Sequence, residues 1–440
     1  MGFIGSLSRR RQRLRRRIAT LSVAGLLVGL LASHQAALGA TPATPNNLPP
    51  YLADANDPAV TTLAFDRGLS IEEAQRRIGW QEPAYQLGEA LRQALGDRFG
   101  GLWFDEAGGG RVKVGLVGNN AAAARALIEQ RKLSAVTDLV PVRHSYNDLE
   151  AANAWLSAAI ATANQGAATR LASSMLVHKN VVQLKLPHGQ RLSVAQQQVV
   201  DQAKRRLGGA HVLGSWSGRI RSNACGFYGG TFDCDPPLRG GVALYRVNST
   251  AACSTAFYAR SRSDGKPYIM TAGHCGGAGS LWNAWQPRTG MEHRVGEMWR
   301  RSLRNPPDPD DHGIITIDNP SGWNPRPWVY VHASSSTVED PDYVITRVSG
   351  SSIDMRVCLS GMRTGTDCGT VDEVGFLGPG GYAVVDYCDN PGDSGGAVYS
   401  TTAARGIHTG SLEGAPACQG RLYMGVAEAE DDLNVNVVRG

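Results

Sequence analysis

Three short stretches carry residue types that could do chemistry together. In "YIMTAGHCGG" an apolar run ends in a tight turn that presents His274 beside Cys275. In "DPDDHGIITID" Asp311 stands at the mouth of another apolar run. In "CDNPGDSGG" Ser394 follows a Gly-Asp pair and precedes two glycines. Singly, each has an ordinary reading: a packed histidine, a turn-forming aspartate, a loop serine. Together, in the order His, Asp, Ser, they match one of the known chain orders of a nucleophilic triad. A serine hydroxyl is a poor nucleophile at neutral pH. His274 would take its proton during attack and return it to the leaving group. Asp311 would fix the imidazole tautomer and stabilise its cation. Glycines cost backbone entropy, so their turn should have a use. With Gly392 and Ser394 in the right turn, their N–H groups converge on one space for an oxyanion, where one donor is typically worth ~3 kcal/mol.

"TAGHC" and "GDSGG" resemble the signatures of chymotrypsin-like serine proteases, in particular the bacterial streptogrisin and α-lytic protease group. "CLSGMRTGTDCGTV", residues 358 to 371, is similar to that group's C-x-S-G-x-x-T-G-x-x-C-G-x-V segment, and "CDNPGDSGG" has its longer cysteine-to-serine spacing. Upstream, "AQRRIGW", "LGDRFGGLWFD" and "VKVGLV" are similar to its propeptides. The resemblance implies a mostly β protein: a double β-barrel with the triad His274, Asp311 and Ser394 in the cleft and an oxyanion hole at Gly392 and Ser394. It implies the pairs Cys253–Cys275, Cys358–Cys368 and Cys388–Cys418, and leaves Cys225 with Cys234. It further implies that residues 41 to about 206 assist folding and are then cut off; barrels built on distant strand pairings fold slowly. One position departs from the pattern. Leu359 stands where the group carries a basic partner for the aspartate before the serine, so Asp393 needs another partner, with Arg356 and Arg363 as candidates.

"RGIHTGSLEG", residues 405 to 414, matches the strand that walls the specificity pocket, where Thr409, Gly410 and Ser411 would pair with substrate backbone. His408 resembles the pocket histidine of the glutamate-specific members. A histidine donor and hydroxyls suit a substrate carboxylate, which needs hydrogen-bonding or charged partners when buried; a structural histidine is the alternative. Asp386, two residues before Cys388, occupies a place where trypsin-like enzymes select Arg or Lys, so basic or apolar P1 preferences stay open beside Glu/Asp.

The elements that would position these residues are short strands. From Gly208 to about residue 425 glycine, turn residues and runs such as "GGVALYRV", "PYIMTAG", "GIITID" and "GYAVVDY" dominate, as in a sandwich or barrel. "GVAEAEDDL" reads as a helix and "NVNVV" as a strand. Before Gly208 the pattern is α+β. Ser70 and Glu73 form a capping box, helical periodicity runs to Gly79, and a second helix follows Pro83. "LWFD" and "RVKVGLVG" alternate as a hairpin. The organisation expected is a signal peptide over 1–40, a linker over 41–60, an α+β pro-region over 61–206, a processing segment over 207–224 and a protease domain over 225–440.

The leader reading rests on "RRRQRLRRR", the apolar "IATLSVAGLLVGLLA" and the small residues of "SHQAALGA". An apolar stretch of about 15 residues is short against the ~20 that span a bilayer. The full chain is formally +5; removing the leader's seven arginines takes it to −2, so the basic balance gives no case for nucleic-acid binding. All eight cysteines lie between Cys225 and Cys418, an even count that reads as disulfides in an exported chain. No C-x2-C or H-x3-H spacing supports zinc, so neither metal nor other cofactor is expected. The sequence therefore reads as a secreted, monomeric serine endopeptidase made as a zymogen, whose partners are peptide substrates and its own pro-region. A catalytically silent binding protein on the same fold is the alternative.

Overall fold

Four helices in the first half start where side chains satisfy their free N–H groups. Asp57 accepts from Ala59 N ahead of Pro58–Arg67, and Ser70 from Glu73 N ahead of Ile71–Gly79. Reciprocal capping boxes join Ser145 to Asp148 and Ser193 to Gln196, opening Tyr146–Ala163 and Val194–Leu207. The computed structural model describes residues 49–118, 121–167, 169–216, 220–222, 237–286, 291–305, 309–331 and 340–440. The expected signal peptide, most of the linker and the Cys225–Cys234 pair lie outside them. Pro58–Arg67 begins within the stretch read as linker. Proline at the first helical position loses no hydrogen bond there, and its fixed φ suits the helix.

The hairpin Phe99–Asp105 with Arg111–Leu116 is present and gains Thr137–Pro141 as a parallel third strand. The run "MLVHKNVVQLKLP" is broken by a turn, with Asn180 at φ +54°, into Ala172–Leu176 and Val181–Pro187. His211–Trp216 joins the second of these in parallel after the helix Val194–Leu207.

The second half is mostly β. Strands Arg356–Gly361, Ala397–Ser400, Ala403–Leu412, Arg421–Gly425, Tyr382–Val385 and Gly365–Phe376 pair in that order, and the last returns to the first, closing a six-stranded barrel. The preceding sheet is a half-barrel whose neighbours run Val435–Val437, Tyr258–Ser261, Pro267–Thr271, Asp310–Thr316, Met291–Arg304, Leu281–Gln286, Ala243–Arg246 and Ala252–Ser254. This is the expected chymotrypsin-like double barrel, and "GVAEAEDDL" and "NVNVV" form the helix Val426–Leu433 and the strand Val435–Val437. Three expected disulfides are formed: Cys253–Cys275, Cys358–Cys368 and Cys388–Cys418.

The two halves share structure. Met175 pairs with Val374, so the sheet of the first half continues the closed barrel. Leu87, Leu91 and Phe104 pack in one apolar core with Val357, Leu359, Val371 and Tyr387 of the barrel. A short strand, Ile220–Ser222, lies antiparallel to residues 410–412 at the barrel's edge.

Candidate active site

Strand pairing brings two of the three chemical stretches together. Thr271 lies opposite Gly313, so the turn after Pro267–Thr271 falls beside the start of Asp310–Thr316. A one-turn helix, Gly273–Cys275, presents His274 there. Gly273 is required by space: a Cβ on it would lie 2.3 Å from Ser302 O and 3.0 Å from His312 N. The buried Asp311 carboxylate accepts from His274 N at 2.8 Å and from His274 Nδ1 at 2.7 Å. That pair makes Nδ1 the protonated nitrogen and leaves Nε2 with a free lone pair; Nε2 is buried without a hydrogen-bond partner. Burial works against the charged imidazole, but the Asp311 charge and its hydrogen bond outweigh it and raise the His274 pKa. Burial likewise opposes ionisation of Asp311, and the His274 charge and hydrogen bond hold its carboxyl below the usual range.

The serine arrives on a turn that only glycines can make. Gly392 has φ +116° and Gly395 φ +85°. A Cβ on Gly395 would lie 2.1 Å from Thr271 Oγ1 and 3.0 Å from Ala272 N, so the turn sits directly on the segment that leads into His274. Ser254 N donates to Ser394 O at 2.7 Å, and Gly395 N to His408 O at 2.7 Å. The Ser394 hydroxyl donates to Thr409 O at 3.1 Å. Asp393, whose partner was open in the sequence, is fully buried and accepts four hydrogen bonds. Arg363 N and Thr364 N reach one oxygen at 2.7 and 3.1 Å; Asn390 N and the Thr364 hydroxyl reach the other at 2.7 and 2.5 Å. Arg356 points elsewhere, to Asp66 and Thr62 of the first half. The backbone turn at 363–364 does for Asp393 what a basic side chain was expected to do.

Beneath this turn lies a buried polar group. His408 Nδ1 is 3.0 Å from the Tyr387 hydroxyl, and Nε2 is 3.1 Å from an Asp389 oxygen. Arg421 Nε lies 2.5 Å from the other Asp389 oxygen. Burial would raise the Asp389 carboxyl, yet its hydrogen bond to His408 and the His408 and Arg421 charges hold it below its usual range. Asp386 is exposed and accepts from Thr370 N, away from His408. Asp389, Tyr387 and Arg421 were not singled out in the sequence. An acid after a cysteine and an arginine in a strand carry no signal until the fold joins them. Gly410 lies opposite Ser222 and Ser411 opposite Arg221, so this edge already holds an extended segment.

A family model described as the alpha-lytic protease pro N-terminal region matches residues 72–127. Streptogrisin-C of Streptomyces griseus is 25% identical over 407 residues, which cover 89% of this chain and 75% of the relative. Glutamyl endopeptidase 2 of the same organism is 28% identical over 211 residues, 45% of this chain and 98% of that protein. A solved glutamic acid-specific serine protease is 27% identical, covering 46% of this chain and all of its own, with a TM-score of 0.37. Its pro-region match and its streptogrisin relatives make the chain similar to the serine endopeptidases of the streptogrisin and α-lytic protease type, with a pro-region ahead of a chymotrypsin-like domain.

Proposed function

We propose that the protein is a secreted endopeptidase, made as a pre-pro-enzyme, that cleaves peptide bonds through Ser394, His274 and Asp311. The observation that carries this reading is the His274–Asp311 pair, with Nε2 unpartnered beside the turn that bears Ser394. Attack requires the Ser394 hydroxyl to give up Thr409 O for Nε2. The oxygen then attacks the scissile carbonyl as its proton passes to Nε2. Asp311 stabilises the imidazolium, and the N–H groups of Gly392 and Ser394 receive the oxyanion. Collapse gives the acyl-enzyme and transfers the proton to the leaving amine; water repeats the sequence to release the acid. In the precursor, Ile220–Ser222 runs along the strand that would bind substrate backbone, which supports a maturation cut within the 207–224 processing segment.

For P1 the reading is an acidic residue. His408 and Arg421 are two donors in one buried group, and one similar protein is a glutamyl endopeptidase. Asp389 now holds both donors, so it competes with a substrate carboxylate. Asp389→Asn is expected to raise kcat/KM for Glu substrates by about tenfold, through removal of a like charge. Cleavage of Glu peptides no faster than Phe or Arg peptides would refute the acidic preference. The binding-protein alternative is separated by a serine-directed fluorophosphonate: the mature wild type should label and Ser394→Ala should not. A wild type that resists labelling would sink the hydrolase reading.

A further inference from the structure

The strand that carries Asp311 also carries a second polar cluster, on its other face. Successive side chains of a strand point to opposite sides, so Asp311 faces His274 while Asp310 and His312 face away from it. Both are fully buried. There they meet Asp432, in the last turn of the helix Val426–Leu433. Among the described residues, one ligand atom from each of the three lies within 4.8 Å of the others. Arg304, whose side chain is 47% exposed, bridges the two carboxylates: Nε donates to Asp310 Oδ2, and Nη2 to Asp432 Oδ2 at 2.9 Å. Ser302 Oγ donates to Asp310 Oδ2 at 2.6 Å. Three buried polar atoms are left without a hydrogen bond: Asp310 Oδ1, His312 Nδ1 and His312 Nε2. His312 Nε2 lies 3.4 Å from Asp432 Oδ2, longer than a good N–H···O bond.

An arginine between two carboxylates accounts for Asp310 and Asp432 but not for His312. A buried imidazole with neither nitrogen hydrogen-bonded costs free energy, so its place in the cluster calls for a ligand. Two carboxylates and an imidazole are a donor set for a divalent transition ion. Tetrahedral zinc with bonds of about 2.0–2.1 Å sets neighbouring donors about 3.3 Å apart. His312 Nε2 and Asp432 Oδ2 already stand 3.4 Å apart. The widest gap, at most 4.8 Å, closes with side-chain shifts of roughly 1.5 Å. The helix adds to the pull, because Asp432 sits at its C-terminal end, where the dipole disfavours an acid and favours a cation. We propose that Asp310, His312 and Asp432 bind one zinc ion, which takes the place of the Arg304 guanidinium and ties the helix Val426–Leu433 to the strand that carries Asp311. Arg304 swings out to solvent, and water fills the fourth position. The ion brings two charges where the guanidinium brought one, so both carboxylates are neutralised and the imidazole gains a partner. Its role is to hold helix and strand together, whether or not the chain cuts itself. H-x3-H and C-x2-C spacings miss such a site, since two ligands alternate on a strand and the third comes from a remote helix.

The test uses the full chain carrying Ser394→Ala, so that the sample stays whole. It is stripped with a chelator and titrated with zinc chloride by calorimetry. One ion should bind per chain, and the midpoint of thermal unfolding should rise, because zinc binds the folded state. Adding His312→Gln should weaken binding roughly 100-fold, and adding Asp432→Asn about tenfold. Arg304→Gln should instead tighten binding about tenfold, since a competing positive charge is gone. Cobalt chloride in place of zinc should give the strong visible absorption of a four-coordinate ion, lost with His312→Gln. Asp432 is partly exposed, so its variant gives the reading if His312→Gln does not accumulate folded. A chain that takes up no zinc overturns the site, and so does zinc binding that His312→Gln or Asp432→Asn leaves as tight as before. Binding that Arg304→Gln leaves unchanged or weakens overturns the exchange of guanidinium for metal.

Discussion

Residues 58–216 and residues 237–440 are stitched on different length scales. In the first region Phe99–Asp105 pairs with Arg111–Leu116 a few residues on, and Tyr146–Ala163 and Val194–Leu207 open on caps within their own first turn. In the second, Val435–Val437 pairs with Tyr258–Ser261, and Arg356–Gly361 pairs with Ala397–Ser400 across the barrel. The first region has no cysteine; the second carries three described disulfides. Local contacts form early, whereas distant pairings must first meet the entropy of loop closure. The difference teaches a division of labour. The first region is built from nearby parts, and its Met175 pairs with Val374 at the edge of the barrel.

The comparison assigns chemistry wholly to the second region, and the largest effect tests that. Ser394→Ala should lower peptide hydrolysis by about 10⁶-fold. The uncut chain should keep its circular dichroism and its midpoint of unfolding. Hydrolysis surviving within tenfold would break the assignment. Asp311→Asn should cost about 10⁴-fold through the wrong imidazole tautomer. In the proposed mechanism catalysis needs neutral His274, whose pKa is raised above its ordinary 6.5 by Asp311. The acid limb of kcat/KM should therefore lie above that value in the wild type and move to lower pH in the variant. A limb that stays put would remove Asp311 from its role.

Stability changes should sharpen the contrast. Replacing Cys253 and Cys275 together by serine should cost about 2–5 kcal/mol in denaturant unfolding of the barrels. Hydrogen exchange in Gln81–Leu95 should hardly change; equal losses in both regions would erase the division. Ser193→Ala should cost about 1 kcal/mol, confined to Val194–Leu207, because it removes one cap. Exchange that spreads into the barrel would deny the pro-region its local character. A pH-dependent effect lies at the seam. Burial, then the nearby charges of Glu106, Asp372 and Asp105, raise Asp354 to about 7. The folded state keeps this proton to higher pH than the unfolded state. Stability is therefore greatest in acid and falls as pH rises from the ordinary 3.8 toward about 7. Asp354→Asn should flatten that part of the stability–pH curve, and an unchanged slope would show that Asp354 is not its source.

Much of this was legible before any coordinates. "TAGHC" and "GDSGG" name residue types whose chemistry depends on identity, and Ser70 marks a helix start because a cap acts within three or four residues; Ser145 and Ser193, not singled out in the sequence, cap in the same way. The Asp393 partner was not legible. Hydrogen bonds from backbone N–H groups at 363 and 364 leave no trace in side-chain identity. The same holds for the Asp389–His408–Arg421 group, whose members gain meaning only when strands bring them together.

The sequence by itself determined the types of the reacting groups, the spacing of turns and strands, the cysteine count and the local starts of helices. Each of these is a property of neighbouring residues or of chemical identity. Only the tertiary structure decided which carboxylate meets which cation: Asp311 with His274, Asp389 with His408, Glu82 with Arg405. Charge pairing acts over a few ångströms in space, and distance along the chain carries almost no information about it once strands from remote segments share a barrel.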